Sequence, residues 1–193
     1  MKKTILSIGI LFSASYAIIA CSNSVNKKDE QTIISNDSLI SKGAYLVNIA
    51  GCGDCHSPKI MTEFGPVADS TRLFSGHRST VKTPDISKDA FKKGWVLFND
   101  ESTILATGGF ISYSANITSD ETGIGNWSFE QFKTAMTKGK WKGLENSRNL
   151  FPPMPWMNYQ HMKEEDLKAI FAFLKSTKPV DNIVPVSTLL ETK

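Results

Sequence analysis

The stretch "AGCGDCHSP" at residues 50–58 sets two cysteines three positions apart, with a histidine directly after the second. The whole chain of 193 residues has only three Cys and three His. On a turn of helix, residues i and i+3 share a face and lie roughly 5–6 Å apart. Cys52 and Cys55 so placed can each form a thioether to one vinyl group along a single edge of a haem. His56 lies about 100° further round the helix, where its imidazole can stand over the porphyrin face and ligate iron. C-x-x-C-H therefore reads as the attachment site of one covalent haem c.

Three rival readings compete for the same residues. A zinc site wants four ligands, and the chain has no second C-x-x-C, leaving His77 and His161 to complete one. A redox dithiol wants a βαβ context, which the pattern lacks. A structural disulfide with two intervening residues closes too little chain to constrain it usefully.

Haem iron has two axial positions, and the second decides the chemistry. A Met sulfur raises the potential and closes the site for electron transfer, whereas an open position invites oxygen chemistry or gas binding. Met61, Met136, Met154, Met157 and Met162 are the candidates. Met61 follows His56 too closely to reverse direction easily. Met136 sits at core spacing on a predicted helix. Met154 lies in "LFPPMPWMNY" between Pro153 and Pro155, whose fixed φ stiffens the loop that carries the sulfur.

Outward from the motif, the N-terminus reads as an export signal. Met1-Lys2-Lys3 forms a positive n-region, and Ile5 to Ala20 is apolar apart from isolated Ser and Tyr. Ile18-Ile19-Ala20-Cys21 resembles the bacterial lipobox, which implies cleavage before Cys21 and a lipid anchor on its thiol. Ser22 after the Cys resembles the pattern of outer-membrane lipoproteins, which implies sorting to that membrane. Residues 1–20 are thus read as a lipoprotein signal peptide, 21–37 as the lipidated Cys with a polar tether, and 38–193 as one domain. The formal charge is +3; without Lys2 and Lys3, 20 basic residues face 19 acidic ones. No basic stripe with interleaved aromatics marks a nucleic-acid partner.

Within the domain, "DSLISKGAYLVNIAG" predicts a helix behind Asp37-Ser38 that ends at Gly51 and runs into the motif. Residues 58–117 are rich in Gly, Pro, Ser and Thr and predict loops, short helical turns or brief strand pairs. Ser128 caps a second helix with apolar Phe129, Phe132, Ala135 and Met136, stopping at Gly139. "KEEDLKAIFAFLKST" predicts a third, with Leu167, Ile170, Phe171 and Leu174 on one face and Pro179 blocking continuation. Gly43-Ala44 could admit close crossing by Phe171 or Phe173. Trp127 and Trp156 line the pocket or pack in the core, and His77 reads as a satisfied or exposed histidine. Asn116-Ile117-Thr118 matches a glycosylation acceptor without weight in a bacterial protein.

"KGAYLVNIAGCGDCH" (42–56), "ANITSDETGIGNWSFEQFKTAMTKG" (115–139) and "MPWMNYQHMKEEDLKAIFAFLKSTKPVDN" (154–182) resemble class I cytochromes c. They are more closely similar to the haem modules of bacterial multihaem cytochrome c subunits serving membrane-bound alcohol and gluconate dehydrogenases. The resemblance implies an all-α fold, three main helices around a covalently bound haem with long loops. It also implies that Met154 is the distal iron ligand, with Met157, His161 or an empty position as alternatives. Two departures stand out: a single C-x-x-C-H, and 98 residues between His56 and Met154. The expectation is a periplasm-facing, lipid-anchored monohaem electron carrier rather than an enzyme. Its redox partners would be a dehydrogenase, an oxidase or another cytochrome. The alternative is a haem enzyme or sensor with an open or displaceable sixth site.

Overall fold

A computed structural model of the chain describes residues 35–190. The expected signal peptide, Cys21 and most of the tether lie outside the described residues.

Helix α1 (Asn36–Ile49) starts two residues ahead of the expected cap, because the Ser35 side chain accepts from Ser38 N. Gly51 follows in the left-handed region at φ 65°, a conformation that costs glycine little, and it ends the helix so that the short α2 (Cys52–His56) can begin. Helix α4 (Phe129–Lys138) is closed by a reciprocal capping box between Ser128 and Gln131 and stopped by Gly139 at φ 64°. Helix α6 (Glu164–Ser176) carries three acids in its first turn and Lys175 in its last, both favourable to the helix dipole.

These helices share one core. Val47 of α1, Phe132 and Met136 of α4, Leu167, Ile170 and Leu174 of α6, and the loop residue Ile124 form a buried cluster. Each such side chain stabilises the fold by about 1.5–3 kcal/mol. Helices α1 and α6 meet backbone to backbone: a Cβ on Gly43 would stand 2.0 Å from the Ala169 carbonyl oxygen. The close crossing expected at Gly43 therefore forms, but against the Ala169 main chain and the Phe173 Cβ rather than an aromatic face.

The all-α expectation is overturned between the motif and residue 113. Strands β1 (Lys59–Thr62) and β2 (Gly65–Ala68) form an antiparallel hairpin directly after the motif. After the short α3 (Lys88–Lys92), β3 (Leu97–Phe98), β4 (Ile104–Ala106), β5 (Phe110–Tyr113) and the C-terminal β6 (Thr188–Leu189) form a four-stranded antiparallel sheet in that order. The physical reason is burial. All three β4 residues are buried, so the strand reads as a short apolar run without the alternation that marks a half-exposed strand. Its turn is set by Thr107 Oγ1, which accepts from Gly109 N and Phe110 N at 3.1 Å each. Strand β6 arrives from more than seventy residues away and leaves no local signal. A last short helix, α5 (Trp156–Tyr159), lies between α4 and α6.

Candidate cofactor site

Helix α2 places Cys52 and Cys55 one turn apart, both as half-buried free thiols, with His56 at the helix end. Cys52 packs against the apolar cluster. Burial pushes its thiol up to about 11, and burial also raises Cys55. Both are therefore protonated at neutral pH, unlike the low-pKa nucleophile that thiol–disulfide exchange requires. Among the described residues, no three or more His, Cys, Asp and Glu side chains gather as a metal-binding group.

His56 Nδ1 lies 2.7 Å from the Ala115 carbonyl oxygen. A carbonyl only accepts, so Nδ1 carries the proton and Nε2 keeps its lone pair for a metal. Burial lowers the imidazole's pKa, with the Ala115 carbonyl pulling the other way, which keeps the ring in the neutral, ligating form. The end of α2 is held by Lys59, whose ammonium donates to the carbonyls of Asp54, Ser57 (3.3 Å) and Glu101 (2.7 Å). A cation at a helix C-terminus satisfies carbonyls left without intrahelical partners.

The proline loop meets the same core. Met154 is half-buried and packs against the same cluster as Cys52. Tyr159 hydroxyl donates to the Ala50 carbonyl at 3.4 Å, tying α5 to the residue just before Gly51. Burial raises the Tyr159 pKa, and Cys52 and Cys55, where ionised, act in the same direction. Trp156 lies over Gly139, where a Cβ would meet its ring at 2.4 Å, so the glycine that ends α4 also seats the tryptophan. The Pro152–Pro153 peptide is cis.

The other candidates separate by place. Met61 and Met157 are 68% and 63% exposed, and Met136 is core at 7%. Met162 is half-buried against the cluster, and His161 is exposed. Trp127 packs on the cluster. His77 is fully buried, with Nδ1 2.9 Å from Thr103 Oγ1 and Nε2 3.3 Å from the Val81 carbonyl. Asn116 is buried, donating to Thr122 Oγ1 and the Val180 carbonyl while accepting from Thr118. Sequence reading missed Ala115, Lys59 and Tyr159. A backbone carbonyl has no residue signature, and the other two act through main-chain oxygens, which have none either.

The donor set fits a haem c: two thiols on one helical face, an imidazole whose free nitrogen is defined by its bonded one, and an apolar surround with a thioether in it.

No family model matches the chain. It is 30% identical over 182 residues to the gluconate 2-dehydrogenase cytochrome c subunit of Pantoea cypripedii, covering 93% of this chain and 30% of that protein. It is 39% identical over 148 residues to the quinone-dependent alcohol dehydrogenase cytochrome c subunit of Gluconobacter oxydans, covering 76% and 23% respectively. It is 38% identical over 79 residues to the fructose dehydrogenase cytochrome subunit of Gluconobacter japonicus, covering 40% and 16%. The chain thus spans less than a third of the length of these relatives. It resembles the cytochrome c subunits of gluconate and alcohol dehydrogenases.

Proposed function

We propose that this chain is a monohaem cytochrome c that carries single electrons, anchored by lipid at Cys21 and facing the periplasm. The observation that carries the reading is the Cys52–Cys55–His56 turn with the His56 Nδ1 committed to Ala115. Bound there, haem c would supply a one-electron iron couple.

The polypeptide's part is to hold and tune. Cys52 and Cys55 would fix the cofactor's edge through thioethers. His56 Nε2 and the Met154 sulfur would ligate its iron. Met154 is supported by its half-burial against the cluster that also receives Cys52, and by a Pro-flanked loop with little conformational freedom to lose. The relatives are subunits of dehydrogenases, which supports a dehydrogenase as redox partner; an oxidase or another cytochrome is the other partner class the reading allows. No described helix is long and apolar enough to cross a membrane; the proposed attachment to the outer membrane is through Cys21.

The test is optical and electrochemical. The oxidised protein is expected to show the weak far-red band of an iron–thioether bond. Met154→Ala should abolish that band and lower the reduction potential sharply, while Met157→Ala leaves both unchanged. A spectrum without the band in the unmodified protein would sink the carrier reading in favour of an open sixth site.

A further inference from the structure

We propose that Gly76 is a positioning residue that sets the orientation and basicity of the His56 imidazole. The inference rests on the reading of His56 as an iron ligand.

Gly76 touches the ligand residue from two directions. Its main-chain N–H donates to the His56 carbonyl at 2.7 Å. Its bare Cα lets the Ser114–Ala115 peptide pass close by, and that peptide leads into the Ala115 carbonyl that accepts from His56 Nδ1. A Cβ on Gly76 would stand 2.4 Å from the Ser114 oxygen and 2.5 and 2.6 Å from the carbonyl carbon and oxygen of Ala115. All three are main-chain atoms, which cannot swing aside as a flexible side chain can.

The Gly76 side cannot retreat either. Asn182 Nδ2 donates to the carbonyls of Ser75 (2.7 Å) and His77 (2.9 Å), pinning the residues on both sides of the glycine. His77 N donates to the Ser114 carbonyl, and Ile117 N to the Phe74 carbonyl, both at 2.9 Å. The buried His77 ring is held in turn by Thr103. With one segment pinned, a methyl at position 76 must displace Ala115, and the Nδ1–H···O bond lengthens.

The consequence for an iron ligand follows from the direction of that bond. A carbonyl accepting from Nδ1–H makes the imidazole more basic and favours ferric over ferrous iron. Weakening it removes that preference, so the reduction potential rises.

Gly94 supplies the control. Its φ of 83° imposes the same left-handed penalty on alanine as the φ of 74° at Gly76, yet a Cβ there meets nothing within 4 Å. In the holoprotein, Gly76→Ala is expected to raise the ratio of reduced to oxidised haem at a fixed ambient potential by about tenfold, whereas Gly94→Ala leaves it unchanged. Equal potentials for the two variants and the unmodified protein would overturn the proposal. Should Gly76→Ala yield no holoprotein, the unmodified chain still decides: with nitrogen-labelled histidine, His56 should show a protonated, slowly exchanging Nδ1 with or without haem attached. A His56 Nδ1 proton exchanging as fast as in free imidazole refutes the positioning role. A slow proton in a chain that never acquires covalent haem refutes the proposed function instead.

Discussion

Helices α1, α4 and α6 and the stretch from Ser57 to Ile117 organise the same site by opposite means. The helices are self-announcing: each has a start signal, an apolar face and a stop close together in sequence, the start being a capping Ser at α1 and α4 and three acids in the first turn at α6. The intervening stretch owes its shape to partners elsewhere in the chain. Strand β5 pairs with β6, Ser79 N donates to Asn182 Oδ1, and Asn116 Nδ2 donates to the Val180 carbonyl. Helical segments supply the thiols, the imidazole and most of the core, while the irregular stretch supplies main-chain atoms that aim them. The lesson is that side-chain chemistry and its orientation come from different parts of the chain, and only the first is spelled out in residue types.

Substitutions can break or sharpen that division. The largest effect is expected at the motif: replacing both Cys52 and Cys55 by Ala should leave no haem on the chain after denaturing electrophoresis. Haem retained there through the denaturing step would remove the motif from the account.

Next comes the helix crossing. Gly43→Ala puts a methyl into the Ala169 main chain and should cost about 3 kcal/mol in denaturant unfolding, as overpacking at a closed contact does. A change of a few tenths would mean that α1 and α6 slide apart freely.

In the irregular stretch, Leu105→Ala removes a buried β4 side chain and should cost about 2–4 kcal/mol. Asn182→Ala, which strands the Ser75 and His77 carbonyls, should cost about 2 kcal/mol. Both variants are expected to keep covalent haem. If either loses attachment as completely as the double cysteine variant, the two regions are not separable in the way described.

The smallest effect lies on the helical surface. Lys133, and then Lys168, hold the Glu164 carboxyl down from its ordinary 4.5 to about 2. A depressed carboxylate stabilises the fold at pH values above its unfolded pKa, and that contribution is lost as pH falls toward 2. Glu164 is exposed, so the effect should be small and weakened by salt. Titration of the carboxyl by NMR checks it, and an ordinary value would show the pairs to be loose in solution.

How much of this was legible beforehand divides along the same line. Gly51, Gly139 and the acidic first turn of α6 could be read as stops and starts because helix signals are local. The four-stranded sheet could not, since β4 is three buried residues long and β6 only two. Periodicity needs length to declare itself. At the site, Cys52, Cys55 and His56 stood out by type and spacing, and Met154 by its proline setting. Ala115 could not stand out, because what matters there is an oxygen that every residue carries.

The amino-acid order alone determined that two thiols and an imidazole would share a helical turn, since a three-residue spacing on a helix leaves no other geometry. It also determined which apolar faces would seek one another. Only the tertiary structure decided which imidazole nitrogen is left open, which methionines pack against the core, and that the later strands would join in one four-stranded sheet. Those outcomes depend on main-chain groups meeting across tens of residues, where hydrogen bonding and burial select a partner that no local pattern names.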